Sequence, residues 1–225
     1  MNPTRLAVTD PPPLASTTHV ALSGDGPLTH VREHPETDSA DIDRIERLLK
    51  RPALILDGGA GRGGFVALAR ARGHHAWALD TEAAAARIWA RRGVPGLLAD
   101  AFSPPFRRGS FDIVRIKDIL EHVAEPLRMV EACRELLRPD GFLFIHIPSP
   151  YSQLYPIGNF WDDYTHVRPF SRLGVRRLVE DAGLEVVKIE AYTAGRNPVE
   201  RALNRVLALI LPYEYRVICR KPAPL

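Results

Sequence analysis

Cysteine is nearly absent: Cys133 and Cys219 are the only two among 225 residues. That is too few for the disulfide framework that staples small secreted domains. Nothing pairs them at metal-ligand spacing either, and no metal ligand set is assigned from the sequence. Each sits in an apolar segment, so two buried thiols in a reducing cytoplasm are expected, with a single disulfide as the other reading. Long apolar runs are also missing. No stretch approaches the roughly 20 residues that cross a bilayer. The N-terminus lacks the basic-then-apolar pattern of a secretory signal. A cytoplasmic protein without stable membrane insertion is expected. Nor is there a large excess of one charge: Lys and Arg number 30 against 27 Asp and Glu, a net +3. The arginine pairs Arg91-Arg92, Arg107-Arg108 and Arg176-Arg177 are dispersed, not gathered into a stripe interleaved with aromatics. Nucleic acid is therefore not an expected partner. No internal repeat is visible.

Proline is present in quantity and unevenly placed. Pro3, Pro11, Pro12, Pro13, Pro27 and Pro35 crowd the N-terminal region. Proline fixes its own torsion and lacks a backbone donor, so regular structure is not expected there. Residues 1–38 are read as an irregular arm, with a lid that orders over a ligand as the second reading. Residues 39–225 are read as one domain. Its first helix is expected from a cap at Asp38 or Ser39, through Ile42, Ile45, Leu48 and Leu49, to a stop at Pro52.

Beyond Pro52 short apolar runs alternate with helical periods. Strands are expected at 53–56, 76–79, 96–99, 111–116, 142–147, 184–189 and 215–219. Helices are expected at 64–72, 82–92, 125–138 and 171–182, and within 197–211. Several are closed by a glycine (Gly73, Gly93, Gly183), and Pro139-Asp140-Gly141 reads as a turn. Strands alternating with helices imply parallel pairing, because a parallel neighbour needs a crossover. The fold class is therefore α/β, a three-layer doubly wound sandwich.

In such sheets ligands bind where the strand order reverses, at the carboxyl ends of the strands. The first strand is followed by Asp57-Gly58-Gly59-Ala60-Gly61-Arg62-Gly63-Gly64. The glycines permit a sharp turn and a close backbone approach, and the next helix begins at Gly64. The dinucleotide pattern is Gly-x-Gly-x-x-Gly. Here the order is Gly59-x-Gly61-x-Gly63 behind an acid. Asp57 would repel a pyrophosphate and would suit a cationic amino group. Asp80 ends the second strand and Asp100 the third. The first can accept hydrogen bonds from both hydroxyls of a ribose, the second from an adenine amino group. Taken singly, each would pass for a turn or cap residue.

From residue 54 to about 222 the chain resembles the class I S-adenosylmethionine-dependent methyltransferases. The resemblance rests on Asp57–Gly63, Asp80, Asp100-Ala101-Phe102, Phe111-Asp112-Ile113-Val114, Ile119-Leu120-Glu121-His122-Val123 and Leu136-Leu137-Arg138-Pro139-Asp140-Gly141. It implies a Rossmann-like, seven-stranded, mostly parallel sheet with an antiparallel last strand. It also implies S-adenosyl-L-methionine as cofactor, held by Asp57, Gly59, Ala60, Gly61, Gly63, Asp80, Thr81, Asp100, Ala101 and the Lys117 backbone. Many relatives carry cysteine where this chain has Ala60, and alanine keeps that position small.

The acceptor side is expected in segment 148–170, long, aromatic and without helical period. Its Asp163-Tyr164-Thr165-His166-Val167-Arg168-Pro169-Phe170 resembles the D-x-T-H-x-R-x-F stretch of small-molecule relatives. Those relatives often serve sugar, polysaccharide or secondary-metabolite pathways. His166 is the candidate base, with a loop-packing histidine as the alternative. His122 is the second candidate, or a structural histidine at a helix start. The expected activity is methylation of a small-molecule hydroxyl. A nucleic-acid or protein methyltransferase, a non-catalytic cofactor-binding protein and, at the margin, a dehydrogenase are the alternatives. The apolar run 206–211 reads as core, as a homodimer contact or as a patch for a lipid-linked acceptor.

Overall fold

The computed structural model describes residues 33–154, 159–192 and 210–224. The arm at 1–32, most of the helix expected within 197–211 and most of the 206–211 run lie outside the described residues. So does Tyr155 of the aromatic segment.

Chain order is α1 (Pro35–Leu49), β1 (Leu54–Gly58), α2 (Gly64–Ala71), β2 (His75–Asp80), α3 (Ala83–Arg92), β3 (Gly96–Leu98) and β4 (Phe111–Lys117). It continues with α4 (Pro126–Leu136), β5 (Leu137–Pro148), two short 3-10 turns at Pro150–Leu154 and Phe160–Asp162, α5 (Arg172–Asp181), β6 (Glu185–Tyr192) and β7 (Glu214–Arg220). The seven strands form one sheet in the order β3-β2-β1-β4-β5-β7-β6. β7 runs antiparallel to both β5 and β6, and the remaining pairs are parallel. The strand order reverses between β1 and β4, where the expected ligand crevice falls.

Alternation along the strands sets the three layers. Ile55, Ile113, Phe144 and Ile218 pack with Ile42, Phe65, Val66 and Trp89 of α1, α2 and α3. Leu56, Val114, Ile116, Ile145 and Val217 pack with Val130, Cys133, Val175 and Val179 of α4 and α5. Both cysteines are buried free thiols. Ser171 caps α5, its Oγ accepting from the Gly174 amide at 3.0 Å, and Gly183 follows the helix at φ 76°.

Most boundaries shift by two residues or fewer from expectation, and the two that differ most are at α1 and β5. α1 starts at Pro35, one turn before Asp38 and Ser39, because proline at the first helical position gives up an amide that needs no partner. Asp38, expected as a cap, is instead buried on Arg115. The expected turn 139–141 lies inside β5. There Asp140 takes φ 61°, and the pairing with β4 skips from Phe111↔Leu137 to Ile113↔Phe142.

The α1 face of the sheet also carries a polar row. Arg115 donates to Asp57 (2.9 Å), Asp41 (2.9 Å) and Asp38 (2.8 Å), with the Phe65 ring 4.2 Å from its guanidinium carbon. Arg216 pairs with the other Asp41 oxygen at 2.8 Å, and His146 Nε2 lies 2.7 Å from Asp41. Burial, with Arg115 and Arg216 nearby, outweighs Asp41 and holds the His146 pKa down at about 4. Below its ordinary pKa of 6.5 the unfolded chain takes up that proton first. The contribution of neutral His146 to stability is therefore complete above pH 6.5 and is lost as pH falls towards 4. His146→Gln should lack this slope. Its stability gap to the parent should narrow by up to about 1.4 kcal/mol per pH unit across that window. Urea titrations at stepped pH check this, and a constant gap would count against a buried neutral imidazole.

Candidate active site

The carboxyl ends of the central strands open into one cleft of about 690 Å³. It is bordered by Glu33, His34 and Asp38 at the start of α1 and by Asp163, Thr165 and His166 across from them. β1 delivers the glycine turn. Gly59, Gly61 and Gly63 all have positive φ, at 66°, 51° and 78°. A Cβ on Gly59 would lie 2.4 Å from Ile119 Cδ1 and would displace that side chain, and its φ of 66° is itself one that favours glycine.

The turn is pinned from outside. Ala60 N–H donates to the Leu79 carbonyl at 3.0 Å, and Trp89 Nε1 donates to the Gly61 carbonyl at 2.9 Å. Asp80 accepts from the Gly61 amide at 2.8 Å and from Glu82 N–H at 3.0 Å. Asp100 accepts from Phe102 N–H at 2.9 Å. Both acids are thus caps of local turns and walls of the cleft at once.

Of the residues assigned from sequence, Asp57, Gly59, Ala60, Gly61, Asp80, Thr81, Asp100, Ala101, Lys117, His122 and His166 all line this cleft. Gly63 does not. It packs on α3, where a Cβ would come 2.9 Å from Trp89 Cδ1. Asp57 has a further duty unassigned from sequence, since one of its oxygens is held by Arg115. Burial pushes the Asp57 pKa up, against the pull of Arg115.

Ten carboxyl side chains line the cleft (Glu33, Asp38, Asp57, Asp80, Glu82, Asp100, Asp118, Glu121, Asp163, Glu214) against three fixed cations, Arg62, Arg115 and Lys117, so that even with Glu121 and Glu214 neutral the acids predominate. This excess repels a pyrophosphate and favours a cationic ligand with donor groups. The acids at the far end are strongly perturbed. Burial, with Asp118 nearby, raises Glu121 well above the carboxylate range. Burial and Asp118 likewise push Glu214 up to about 7. Burial opposes ionisation of Asp118 too, but the Lys117 ammonium bonded to it outweighs burial and holds it low.

Both candidate histidines have assigned tautomers. His166 Nδ1 lies 2.5 Å from the Phe160 carbonyl oxygen, which can only accept, so Nδ1 carries the proton. His122 Nδ1 lies 2.8 Å from Thr165 Oγ1, and that hydroxyl donates to Asp163 at 2.6 Å, so His122 Nδ1 is again the donor. In each ring the lone pair is on Nε2. The ring centroids are 4.6 Å apart. Val167 N–H donates to the Glu121 carbonyl at 2.7 Å and ties the two segments together. Of the aromatics that marked segment 148–170, Tyr164 is 96% exposed, while Phe160 is buried against His166.

Known proteins of the same build bear on this geometry. Residues 32–189 match a family described as "Methyltransferase domain". The chain is 31% identical over 129 residues to a ubiquinone biosynthesis O-methyltransferase of Paraburkholderia phymatum, covering 51% of this chain and 52% of that protein. It spans about half the length of the curated relatives it matches. Among solved structures it resembles a SAM-dependent methyltransferase from Archaeoglobus fulgidus, with TM-score 0.65 and 22% identity over 84% of this chain and 95% of that one. It also resembles the 1,6-didemethyltoxoflavin-N1-methyltransferase of Burkholderia thailandensis, solved with S-adenosylhomocysteine, with TM-score 0.62 and 21% identity over 84% of this chain and 78% of that one. Glycine turn, strand-end acids, sheet order and matched family agree: the chain belongs to the methyltransferase domains of the class I, S-adenosylmethionine-dependent type.

Proposed function

We propose that the protein moves a methyl group from S-adenosylmethionine to a hydroxyl oxygen of a small molecule. The observation that carries this reading is a single cleft with two unlike ends. One end has the glycine turn with Asp80 and Asp100. The other has two imidazoles whose Nε2 atoms bear lone pairs. When bound, the cofactor supplies an electrophilic methyl on a sulfonium. Asp80 would accept from its ribose hydroxyls and Asp100 from its adenine amino group. Amides of the turn and the carboxylates beside it would hold the amino-acid end, with Asp57 acting as half of its pair with Arg115. The protein's own task is alignment, because methyl transfer is a direct displacement and rate follows geometry. His166 Nε2 would take the hydroxyl proton as the oxygen attacks, with Phe160 holding its other nitrogen.

An oxygen acceptor is favoured by the O-methyltransferase relatives. A sugar, polysaccharide-precursor or secondary-metabolite hydroxyl is proposed from the 163–170 stretch; its exposed Tyr164, with exposed Trp161 just before the stretch, offers an aromatic face for a ring. With an accepted hydroxyl substrate, His166→Ala should lower turnover by about 10²–10⁴-fold, the usual worth of a positioned base. S-adenosylhomocysteine affinity should stay within about threefold, since ~0.65 kcal/mol is small beside a lost contact. Full turnover in this variant would refute the assignment.

A further inference from the structure

We propose that Glu121, His122 and His166 form a binding site for a divalent metal ion at the acceptor end of the cleft. The proposal rests on the reading of that end as the acceptor's place. One carboxylate oxygen and one nitrogen of each imidazole lie within 4.8 Å of one another. Glu121 is wholly buried, and among the described residues neither of its oxygens has a hydrogen-bond partner beyond the pull of its own amide hydrogen bond. Buried carboxylates are normally hydrogen-bonded, paired or bound to metal. Lys117, the cation whose charge acts on Glu121, is bonded to Asp118 instead.

The imidazoles point to the same answer. A metal-binding histidine typically donates its second nitrogen to a carbonyl or to a carboxylate-linked group, which sets the ring's tautomer. His166 does so to the Phe160 carbonyl, and His122 does so to Thr165, whose hydroxyl donates to Asp163. Stacking of Phe160 on His166, with centroids 4.4 Å apart, restrains that ring further. Two imidazoles and one carboxylate suit Zn²⁺, Fe²⁺ or Mn²⁺ better than Mg²⁺ or Ca²⁺, which prefer all-oxygen sets. Three protein ligands leave open positions, as catalytic sites require.

With the ion in place the imidazoles act as ligands. The acceptor hydroxyl would bind the metal and its proton would leave to water. The oxygen would then form its bond to the methyl carbon while the carbon–sulfur bond breaks, its electron pair remaining on sulfur.

The test is calorimetric titration of chelator-stripped full-length protein with Zn²⁺ and Mn²⁺, without acceptor. One ion per chain is expected. Affinity should fall at least about tenfold in Glu121→Gln and in His122→Gln. Thr165→Val, which removes only the relay to Asp163, should weaken it about 10–100-fold. Cobalt(II) spectra should show ligation by two imidazoles that drops to one, with weaker binding, in His166→Gln, and thermal unfolding confirms that each variant folds. No stoichiometric binding, or binding unchanged in folded variants, overturns the proposal. Turnover that resists chelation yet fails in His166→Ala overturns the metal and leaves the base reading standing. Turnover that survives His166→Ala overturns both.

Discussion

Arg115→Met is expected to destabilise the domain by about 3–5 kcal/mol, the cost of breaking a buried ion pair from one side. Folded domains hold only about 5–15 kcal/mol in total, so much of the protein should be unfolded or insoluble. The reason is geometric. Arg115 is buried on the α1 face and is bonded to Asp38, Asp41 and Asp57, each within 3.0 Å. Methionine fills similar space but leaves three buried carboxylates facing one another. Asp38, already raised to about 6 by burial against the pull of Arg115, would rise further without that pull and shift towards its protonated form at neutral pH. The counter-variant Arg115→Met with Asp38→Asn and Asp57→Asn should recover part of the loss, because it removes charge along with its partner. Urea denaturation of the three proteins settles the matter. A single variant within about 1 kcal/mol of the parent would mean that water already compensates these acids.

Asp80→Ala is the second large effect, and it is read on binding. Its carboxylate accepts from the Gly61 and Glu82 amides, so it holds the glycine turn to the end of β2 while facing the cleft. Hydrogen bonds to a charged group are worth about 1.5–3 kcal/mol each. Loss of these contacts, together with any to a ribose, should weaken S-adenosylhomocysteine binding at least ~100-fold, or about 2.7 kcal/mol. Calorimetry at fixed ionic strength measures this. A change below about threefold would reduce Asp80 to a turn cap.

The glycine turn and the strand-end acids of the cleft were legible in the sequence because their constraints are local. Positive φ at Gly59 and Gly61 demands glycine wherever the rest of the chain lies. Asp80 and Asp100 fall at strand ends that short apolar runs announce. Arg115 was not legible. Its strand reads as apolar through Ile113, Val114 and Ile116, and its partners come from α1 and from the end of β1. Nothing in spacing links residues 38, 41, 57 and 115 until α1 lies on the sheet. Gly63 belongs to the same motif as Gly59 and Gly61, but its surroundings as seen in the fold are those of packing on Trp89, which spacing alone does not reveal. The Glu121, His122 and His166 grouping had both halves in view, Leu120-Glu121-His122 and Thr165-His166. Their proximity depends on the fold of the intervening segment and its Val167–Glu121 bond.

The placement of β7 has a consequence for the order in which the chain can assemble. β7 follows β6 in sequence yet separates it from β5, so β6 has no partner in the sheet until β7 has been synthesised. Arg216 on β7 also supplies one of the charges that neutralise Asp41 on α1, the earliest helix described. During synthesis a β3-β2-β1-β4-β5 half-sheet can form. It does so with an open β5 edge and with an under-compensated acid beneath its first helix. Such long-range closure is slow and exposes pairing edges to neighbouring chains. The last strand therefore completes the docking of the first helix, and a ribosome-bound chain lacking β7 should be the stage most in need of a chaperone.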